Sequence, residues 1–368
     1  MEGPMRGFIS IFQGIEDPRA GNARHDLLEL LFIALAAVLC GAESCADMAD
    51  FGEAKEDVLR EILRLEHGIP SHDTFSRVFR LLDPEAFEAS FASFMVAFAK
   101  SNRLKGVVAI DGKAIKGAFV KGAKATPLHM VNVWAAEQRL ALAQRLAPGR
   151  NEVAGALEAV KLLSLKGCIV TVDALHCHRA MAQAIVDARG EYALALKENQ
   201  SGLFTAVERR FATLDQADTF GSETQSSHGR SEQRTARVIT DTTLAKIHDF
   251  PGIRALAQVD TVRRIEGKLD ETKTRYFLLS RPFPADKLLQ IVRTHWTIEN
   301  QLHWVLDVVF DEDGARNRKD NGPQNIALLR KIALNLLRSH PDKASIRRKV
   351  KKAGWDDIFL LSILAQMR

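Results

Sequence analysis

Two aspartates stand directly after apolar segments that have the pattern of buried strands. Asp111 follows the segment VVAI, and Asp173 follows the segment IVTV. Open α/β sheets place ligands and catalytic groups at strand ends. Neighbouring strands lie about 4.8 Å apart, so carboxylates at adjacent ends repel each other unless a cation lies between them. Taken singly, each aspartate is more often a turn residue or a helix cap, but together they indicate a divalent metal site.

The helical segment HWTIENQLHWVLDVVFDED offers a third acid. Helical spacing predicts that Glu299, His303 and His295 share one polar face. The same pattern is also expected of a solvent-exposed stripe on an amphipathic helix. The rival acids of this segment are Asp307, Glu312 and Asp313. The favoured set of Asp111, Asp173 and Glu299 has spacings of 62 and 126 residues.

Three such carboxylates are the groups needed for phosphodiester cleavage with two metal ions. Carboxylates that bridge two ions about 3.5 to 4 Å apart allow one ion to activate the attacking oxygen while the other stabilises the leaving oxygen. Oxygen ligands favour Mg²⁺ or Mn²⁺. A zinc site at His176, Cys177 and His178 is not favoured, because no second cluster has the usual spacing of zinc ligands.

Basic and aromatic residues near these acids are candidates for binding DNA phosphates and bases. The first group consists of Lys113, Lys116, Lys197, His228 and Arg230. Trp296, close to Glu299, could stack on an unpaired base or fill the core, and core packing is the favoured interpretation.

The charge distribution also indicates a polyanion as partner. Residues 315–352 contain twelve Lys or Arg and two Asp, a formal charge of +10, whereas the whole chain carries +5. The remainder is therefore acidic. A localised basic segment attracts nucleic acid, and we assign DNA contacts to Arg347, Arg348 and Lys349. A solvated basic helix is the alternative interpretation.

The hydrophobic pattern predicts four regions in an α/β protein. Residues 1–103 form an all-α domain in which a helix with Arg77 and Arg80 could bind DNA as a helix-turn-helix. Residues 104–200 have the order of three strands, helix, strand, helix, strand, which is the core order of the ribonuclease H-like fold and fits other α/β folds as well. Residues 201–283 are a β-rich insertion, and residues 284–368 return to helices with a basic tail.

Composition excludes several other protein classes. The chain has 368 residues, 46% of them hydrophobic, and only four cysteines, which excludes disordered, collagen-like and disulfide-framework proteins. The longest apolar stretch, residues 30–42, is shorter than the roughly 20 residues needed to cross a bilayer. No signal peptide is recognisable, so we expect a cytoplasmic protein without a membrane partner.

A series of strings along nearly the whole chain resembles DDE-type bacterial insertion-sequence transposases of the ISAs-type, or H-repeat-associated, group. The matching strings include GIPSHDTFSRVF, AIDGKAIKGA, VDALHCH, YALALKENQ, HGRSEQR and HWTIENQLHWVLDVVFDED. They occur in the order expected of that family. Such a series is far more specific than any single motif.

The resemblance implies a ribonuclease H-like core with an inserted β domain and a catalytic triad at Asp111, Asp173 and Glu299. It also implies cutting of element ends, joining of the freed 3′-hydroxyl to target DNA, and two Mg²⁺ (or Mn²⁺) ions per site. Broader relatives carry a Tyr, Arg, Glu, Lys signature around the third acid, and this chain departs from it. The places of the signature's Tyr, Arg and Lys hold Val292, His295 and Leu306. The phosphate-binding substitutes that we assign are Arg293, His295 and Asn300.

Three functional hypotheses follow from this sequence. The first is an active transposase that pairs two DNA ends and is therefore at least a homodimer on DNA. The second is a domesticated DNA-binding protein, derived from a transposase and catalytically inactive. The third is a stand-alone nuclease on the same fold, which would cut branched DNA without joining strands.

Overall fold

The computed structural model describes most of the chain. The described ranges are 4–19, 21, 23–101, 104–119, 127–214, 216–227, 230–265 and 269–367. Among them, no helix combines the length and the apolar character that are needed to cross a membrane.

The N-terminal region is helical, as the sequence predicts. Its helices are α1 (Pro4–Phe12), α2 (Leu27–Leu39), α3 (Cys45–Ala54), α4 (Glu56–Arg60), α5 (His72–Leu81) and α6 (Pro84–Ser101). Helix α2 begins at Asp26, whose side chain accepts a hydrogen bond from the backbone N–H of Glu29, a typical N-cap. Nearly all of α2 is buried, so this helix forms the centre of the helical region and not an amphipathic surface element.

A single mixed sheet of nine strands forms the centre of the described structure. The strands are β1 (Gly106–Phe119), β2 (Pro127–Ala135), β3 (Leu140–Leu146), β4 (Cys168–Val172), β5 (Glu191–Leu196), β6 (Thr219–Ser227), β7 (Arg230–Thr240), β8 (Ala255–Ile265) and β9 (Glu271–Leu279). Their spatial order is β3-β2-β1-β4-β5-β9-β8-β7-β6. Strands β1, β4 and β5 run parallel to one another, and the other pairs are antiparallel. The predicted β-rich region therefore extends the central sheet through the β5–β9 pair.

Helices connect and cover these strands. The connections contain α7 (Glu152–Lys161), α8 (Arg179–Asp187), α9 (Ser201–Ala212) and α10 (Thr243–Ile247). Six consecutive residues of β2, Met130 to Ala135, are buried, which requires that both faces of the sheet are covered there. The order β1, β2, β3, α7, β4, α8, β5 matches the order expected from the sequence.

The C-terminal part returns to the sheet as helices. They are α11 (Ala285–His295), a π-helical turn (Ile298–His303), α12 (Trp304–Phe310), α13 (Gly322–Ser339), α14 (Ile346–Trp355) and α15 (Asp357–Leu364). Helix α13 is buried along almost its whole length and contacts α2, α5 and β3. The N-terminal helices and the sheet consequently share one hydrophobic core. Arg80, a candidate DNA contact on α5, is paired with Asp320 at 2.8 Å.

Candidate active site

Asp111 and Asp173 lie at equivalent positions on neighbouring parallel strands. Ile110 of β1 pairs with Val172 of β4, and each aspartate is the next residue along its chain. Asp173 follows β4 and caps the short helical turn behind it by accepting a hydrogen bond from the His176 N–H. The expectation that Asp111 ends its strand is wrong, because β1 continues to Phe119 and pairs Asp111 with Asn132 of β2. Strand β1 stays paired with β2 beyond the point where its pairing with β4 ends. Asp111 therefore lines the cleft from a position within a strand.

Glu299 reaches the same cleft from the π-helical turn between α11 and α12. The cleft has a volume of about 790 Å³, and its lining includes Asp111, Asp173 and Glu299 together with Lys197. Helix α11 packs on β1 and β4, which places its C-terminal end over the two aspartates. Single π turns within helices are rare and are often found at functional sites. The structure therefore brings together the three acids that the sequence singled out.

The two histidines of this segment do not form the exposed polar stripe that helical spacing allowed. His303 is buried, with Nε2 3.2 Å from Asn132 Nδ2 and Nδ1 3.8 Å from Asp111 Oδ2. His295 Nδ1 lies 3.0 Å from the Thr171 hydroxyl. Burial lowers the pKa of His303 to about 3 and that of His295 to about 4. Both rings are therefore neutral at pH 7 and do not compensate the charge of the carboxylates.

The neighbouring acids oppose the ionisation of Asp111. Burial and the negative charges of Asp173 and Glu299 raise the pKa of Asp111 to about 7. Burial also raises the pKa of Glu299. Like charges in a partly desolvated site favour either protonation or a bound cation. The cleft thus has the electrostatic character of a cation site.

The donor chemistry fits Mg²⁺ or Mn²⁺, because all three acids offer oxygen ligands. The three carboxylates do not form a complete metal-ligand set, since no group of three His, Cys, Asp or Glu residues within the described ranges is arranged to hold a metal ion. Side-chain rotation would have to complete such a ligand set.

Sequence reasoning missed a fourth acid, Glu152, beside the two aspartates. This residue begins α7, and its carboxylate lies over Gly112, where a Cβ would come within 2.3 Å of Oε2. Its Oε1 is 3.0 Å from His129 Nδ1, and its Oε2 is 3.7 Å from Nε2 of the buried His176. The charge of Glu152 also raises the pKa of Asp111. The only sequence signal was the glycine after Asp111, which leaves room for the approaching side chain.

Two of the predicted DNA contacts are wrong, because their side chains are buried and paired within the protein. Lys113 Nζ binds Asp307 and lies 2.5 Å from Glu312. Lys349 Nζ donates to the Leu337 and His340 carbonyls at 2.7 and 2.9 Å, and thereby satisfies free carbonyls at the C-terminal end of α13.

The other candidates for DNA binding occupy varied positions. Five of them, Lys197, Arg293, Asn300, Arg347 and Arg348, are exposed. Lys116 is exposed and paired with Asp313 at 2.8 Å. His228 and the side chain of Arg230 lie outside the described residues. Trp296 is 41% exposed, so the preference for core packing was wrong, and its ring lies 5.5 Å from the Arg275 guanidinium carbon.

Two of the three rival acids, Asp307 and Glu312, belong to a charge cluster around the buried Lys113, whereas Asp313 pairs with the exposed Lys116. Glu312, which is 0% exposed, lies 3.5 Å from Lys331 Nζ. Asp307 and Glu312 share Lys113. These carboxylates already have cationic partners, unlike Asp111 and Glu299, so they link β1 to α12 and α13 and do not face the cleft.

Two family models and several curated proteins match this chain over most of its length. The family described as Transposase DDE domain matches residues 102–336, and the family described as DDE_Tnp_1-associated matches residues 9–95. "Putative protein YbfL" of Escherichia coli (strain K12) is 33% identical over 358 residues, which cover 94% of each chain. "H repeat-associated putative transposase YhhI" of the same strain is 33% identical over 94% of this chain and 93% of its own.

One solved structure covers most of the chain at low similarity. It is the cryo-EM structure of the piggyBac transposase synaptic complex with hairpin DNA, with 11% identity, a TM-score of 0.46, and coverage of 98% of this chain and 81% of that one. This likeness is too weak to establish a shared fold. The family is established by the match over residues 102–336 and by the relatives that align with nearly the full length of the chain. The chain belongs to the DDE transposase domain family, in its H repeat-associated group.

Proposed function

We propose that this protein is an active DNA transposase that cuts the ends of its insertion element and joins the freed 3′-hydroxyl to target DNA. The observation that carries the proposal is the convergence of Asp111, Asp173 and Glu299 on one cleft, with the pKa of Asp111 raised to about 7 by burial and its two neighbours. Membership of the DDE family supports the same assignment. The order of β1 to β5 supports a ribonuclease H-like core.

Asp111, Asp173 and Glu299 would hold the two Mg²⁺ or Mn²⁺ ions of the site. When bound, the ions would supply activation of the attacking oxygen and stabilisation of the leaving oxygen. The protein's own part is to hold the three carboxylates. His303 lies between Asn132 and Asp111 and contacts both, and the π turn carries Glu299, which lines the same cleft as the two aspartates. Because His295 and His303 are neutral, the cleft keeps the negative charge that attracts cations.

DNA would be bound by the exposed basic and polar groups around this cleft. Lys197 lines the cleft itself, and Arg293, Trp296 and Asn300 lie on or next to the turn that carries Glu299. Transposition requires two element ends, so we expect a homodimer or a larger assembly on DNA. The N-terminal helices would contribute further DNA contacts.

Incubation of the purified protein with its own flanking element DNA, in Mg²⁺ or in EDTA, tests this function. We expect 3′-hydroxyl ends that appear only with the metal and are lost in Asp173→Asn. Binding without cleavage would instead identify a domesticated DNA-binding protein. Cleavage of branched DNA without strand joining would identify a stand-alone nuclease.

The basic helix α14 provides a separate prediction. Replacing both Arg347 and Arg348 with glutamine should weaken DNA binding and reduce the slope of log affinity against log salt by about 0.9 per lost phosphate contact. Fluorescence anisotropy with duplex element-end DNA over a range of salt concentrations measures this slope. An unchanged slope would remove α14 from the DNA interface. Lys349→Met is the matched comparison, because this buried lysine should affect stability and leave the slope unchanged.

A further inference from the structure

A second cleft adjoins the carboxylate cleft and has no assigned role. It has a volume of about 690 Å³, and both clefts are lined by Lys273, Arg275, Val292 and Trp296. Its floor consists of alternate residues of β6 to β9, which point to one face of the sheet. Its wall is the C-terminal end of α11 and the start of the π turn. The two clefts therefore form one continuous path past Trp296.

The lining of this cleft is rich in arginine, and most of these side chains have carboxylate partners. Arg234 and Arg293 each lie 3.2 Å from Glu223, and Arg263 lies 3.9 Å from Glu271. These pairs neutralise one another and leave little net charge for a ligand. Arg275 differs from these arginines because it lacks such a carboxylate partner among the described residues.

Arg275 is partly buried and has no carboxylate within salt-bridge distance in the described part of the chain. Its guanidinium carbon lies over the face of the Trp296 ring, 5.5 Å from the ring centroid. The Arg275 guanidinium keeps access to the cleft, and its planar donors match phosphate geometry. Lys273, two residues earlier on the same face, is exposed and likewise has no carboxylate partner among the described residues. Two cations without a direct carboxylate partner among the described residues thus lie where the two clefts meet, and Glu232 is the nearby acid that acts on Arg275 from a greater distance.

We propose that the second cleft binds the single DNA strand that continues from the cleaved bond, and that Arg275 contacts a phosphate of this strand while Trp296 holds the guanidinium in place. This inference rests on the proposed function, because it takes the carboxylate cleft as the point of cleavage. The volume lies within the range of about 300 to 1,000 Å³ found for small-ligand sites, which suits a short stretch of one strand and not a duplex. A positive groove with an aromatic side chain is the usual means of binding single strands.

The test measures binding in EDTA, where no cleavage is expected, so that its result is independent of catalysis. The probe is a fluorescent single-stranded oligonucleotide of about 12 nucleotides with the element-end sequence. We expect Arg275→Gln to weaken binding about tenfold, as for the loss of one charge-assisted contact. The slope of log affinity against log salt should fall by about 0.7. Arg264→Gln is the matched control, because Arg264 lies on the opposite face of β8, exposed and 3.0 Å from Asp270, and should change neither quantity.

A second measurement keeps the inference testable if Arg275→Gln fails to fold. Neutral methylphosphonates placed one at a time along the oligonucleotide should weaken binding to the parent protein at one linkage, and Arg275→Lys should show a smaller loss there. If Arg275 contacts the phosphate at that linkage, the loss of affinity from the neutral linkage and the loss from the Arg275 substitution should not add when both changes are combined. Equal affinity and slope for Arg275→Gln and the parent, or the absence of any sensitive linkage, would overturn the inference. If Arg275→Gln shows the expected loss of binding but the parent protein never cleaves DNA, the proposed function alone is overturned.

Discussion

Asp111→Asn is expected to abolish metal-dependent cleavage of element-end DNA while leaving DNA affinity in EDTA within about twofold of the parent. The substitution removes a carboxylate from the cleft and hardly changes its shape. We expect the rate to fall by about 10³-fold or more, the equivalent of several kcal/mol of transition-state stabilisation. Cleavage of end-labelled DNA over a range of Mg²⁺ concentrations measures this loss.

The matched control for Asp111→Asn is Asp187→Asn. Asp187 is an exposed acid of α8, outside the lining of the carboxylate cleft, so the same chemical change there should leave cleavage unaltered. Full cleavage by Asp111→Asn would remove Asp111 from the catalytic site. Equal losses in both variants would attribute the effect to a general change in the protein.

Asp111→Asn should also be more stable than the parent protein when no metal is bound. A carboxyl group whose folded pKa lies above its unfolded value of 3.8 destabilises the folded state progressively as the pH rises from about 4 through about 7. At pH 8 in EDTA, Asp111 is ionised against Asp173 and Glu299, whereas asparagine carries no charge. We expect an increase in the free energy of unfolding of about 1 to 3 kcal/mol, measured by chemical denaturation. No difference at pH 8 and the same pH profile in both proteins would contradict mutual repulsion.

Glu312→Gln is expected to have the largest effect on stability. Burial alone would raise the pKa of Glu312, but Lys331 and Lys113 outweigh it and lower this pKa to about 2. The substitution leaves two buried lysines without their shared counter-charge, and breaking a buried ion pair in this way costs about 3 to 5 kcal/mol. Calorimetry should show a Tm lower by about 4 to 6 °C.

Two comparisons isolate the origin of this effect. Asp313→Asn changes the neighbouring acid, whose partner Lys116 is exposed, and should cost no more than about 1 kcal/mol. Combining Glu312→Gln with Lys331→Met should recover part of the loss, because the unpaired cation is removed together with the anion. A Tm equal to that of the parent for Glu312→Gln would show that the cluster does not stabilise the fold.

The contribution of Glu312 to stability should also depend on pH. Because the pKa of Glu312 in the folded protein lies below its unfolded value of 4.5, this contribution should be lost as the pH falls from about 4.5 toward 2.

The order of the secondary structure was accessible from the sequence because hydrophobic periodicity is a local property. The apolar runs before Asp111 and Asp173 predicted β1 and β4, and the helical spacing around Glu299 predicted a helix at that place. The register was not accessible to the same reasoning. Asp111 lies within β1 because β2 remains paired to it beyond the end of β4, and a pairing partner distant in sequence leaves no local trace.

Several misassigned side chains have the same origin. A lysine in a sequence is expected to be solvated, yet Lys113 and Lys349 are buried because acids or free carbonyls from other elements reach them. The tryptophan next to Glu299 was expected in the core, yet Trp296 is exposed between two clefts. Burial depends on which surfaces meet, and residue type gives only its average.

The sequence by itself singled out the candidate catalytic residues, because carboxylates, strand pattern and family strings are encoded locally and in order. The tertiary structure alone decided how these groups are grouped and charged. It placed Glu152 near the aspartates, kept His295 and His303 neutral, and placed Arg275 against Trp296 with no carboxylate within salt-bridge distance among the described residues. The physical reason is that pKa values and ion pairs depend on distances and desolvation, which exist only once strands and helices remote in the chain have packed together.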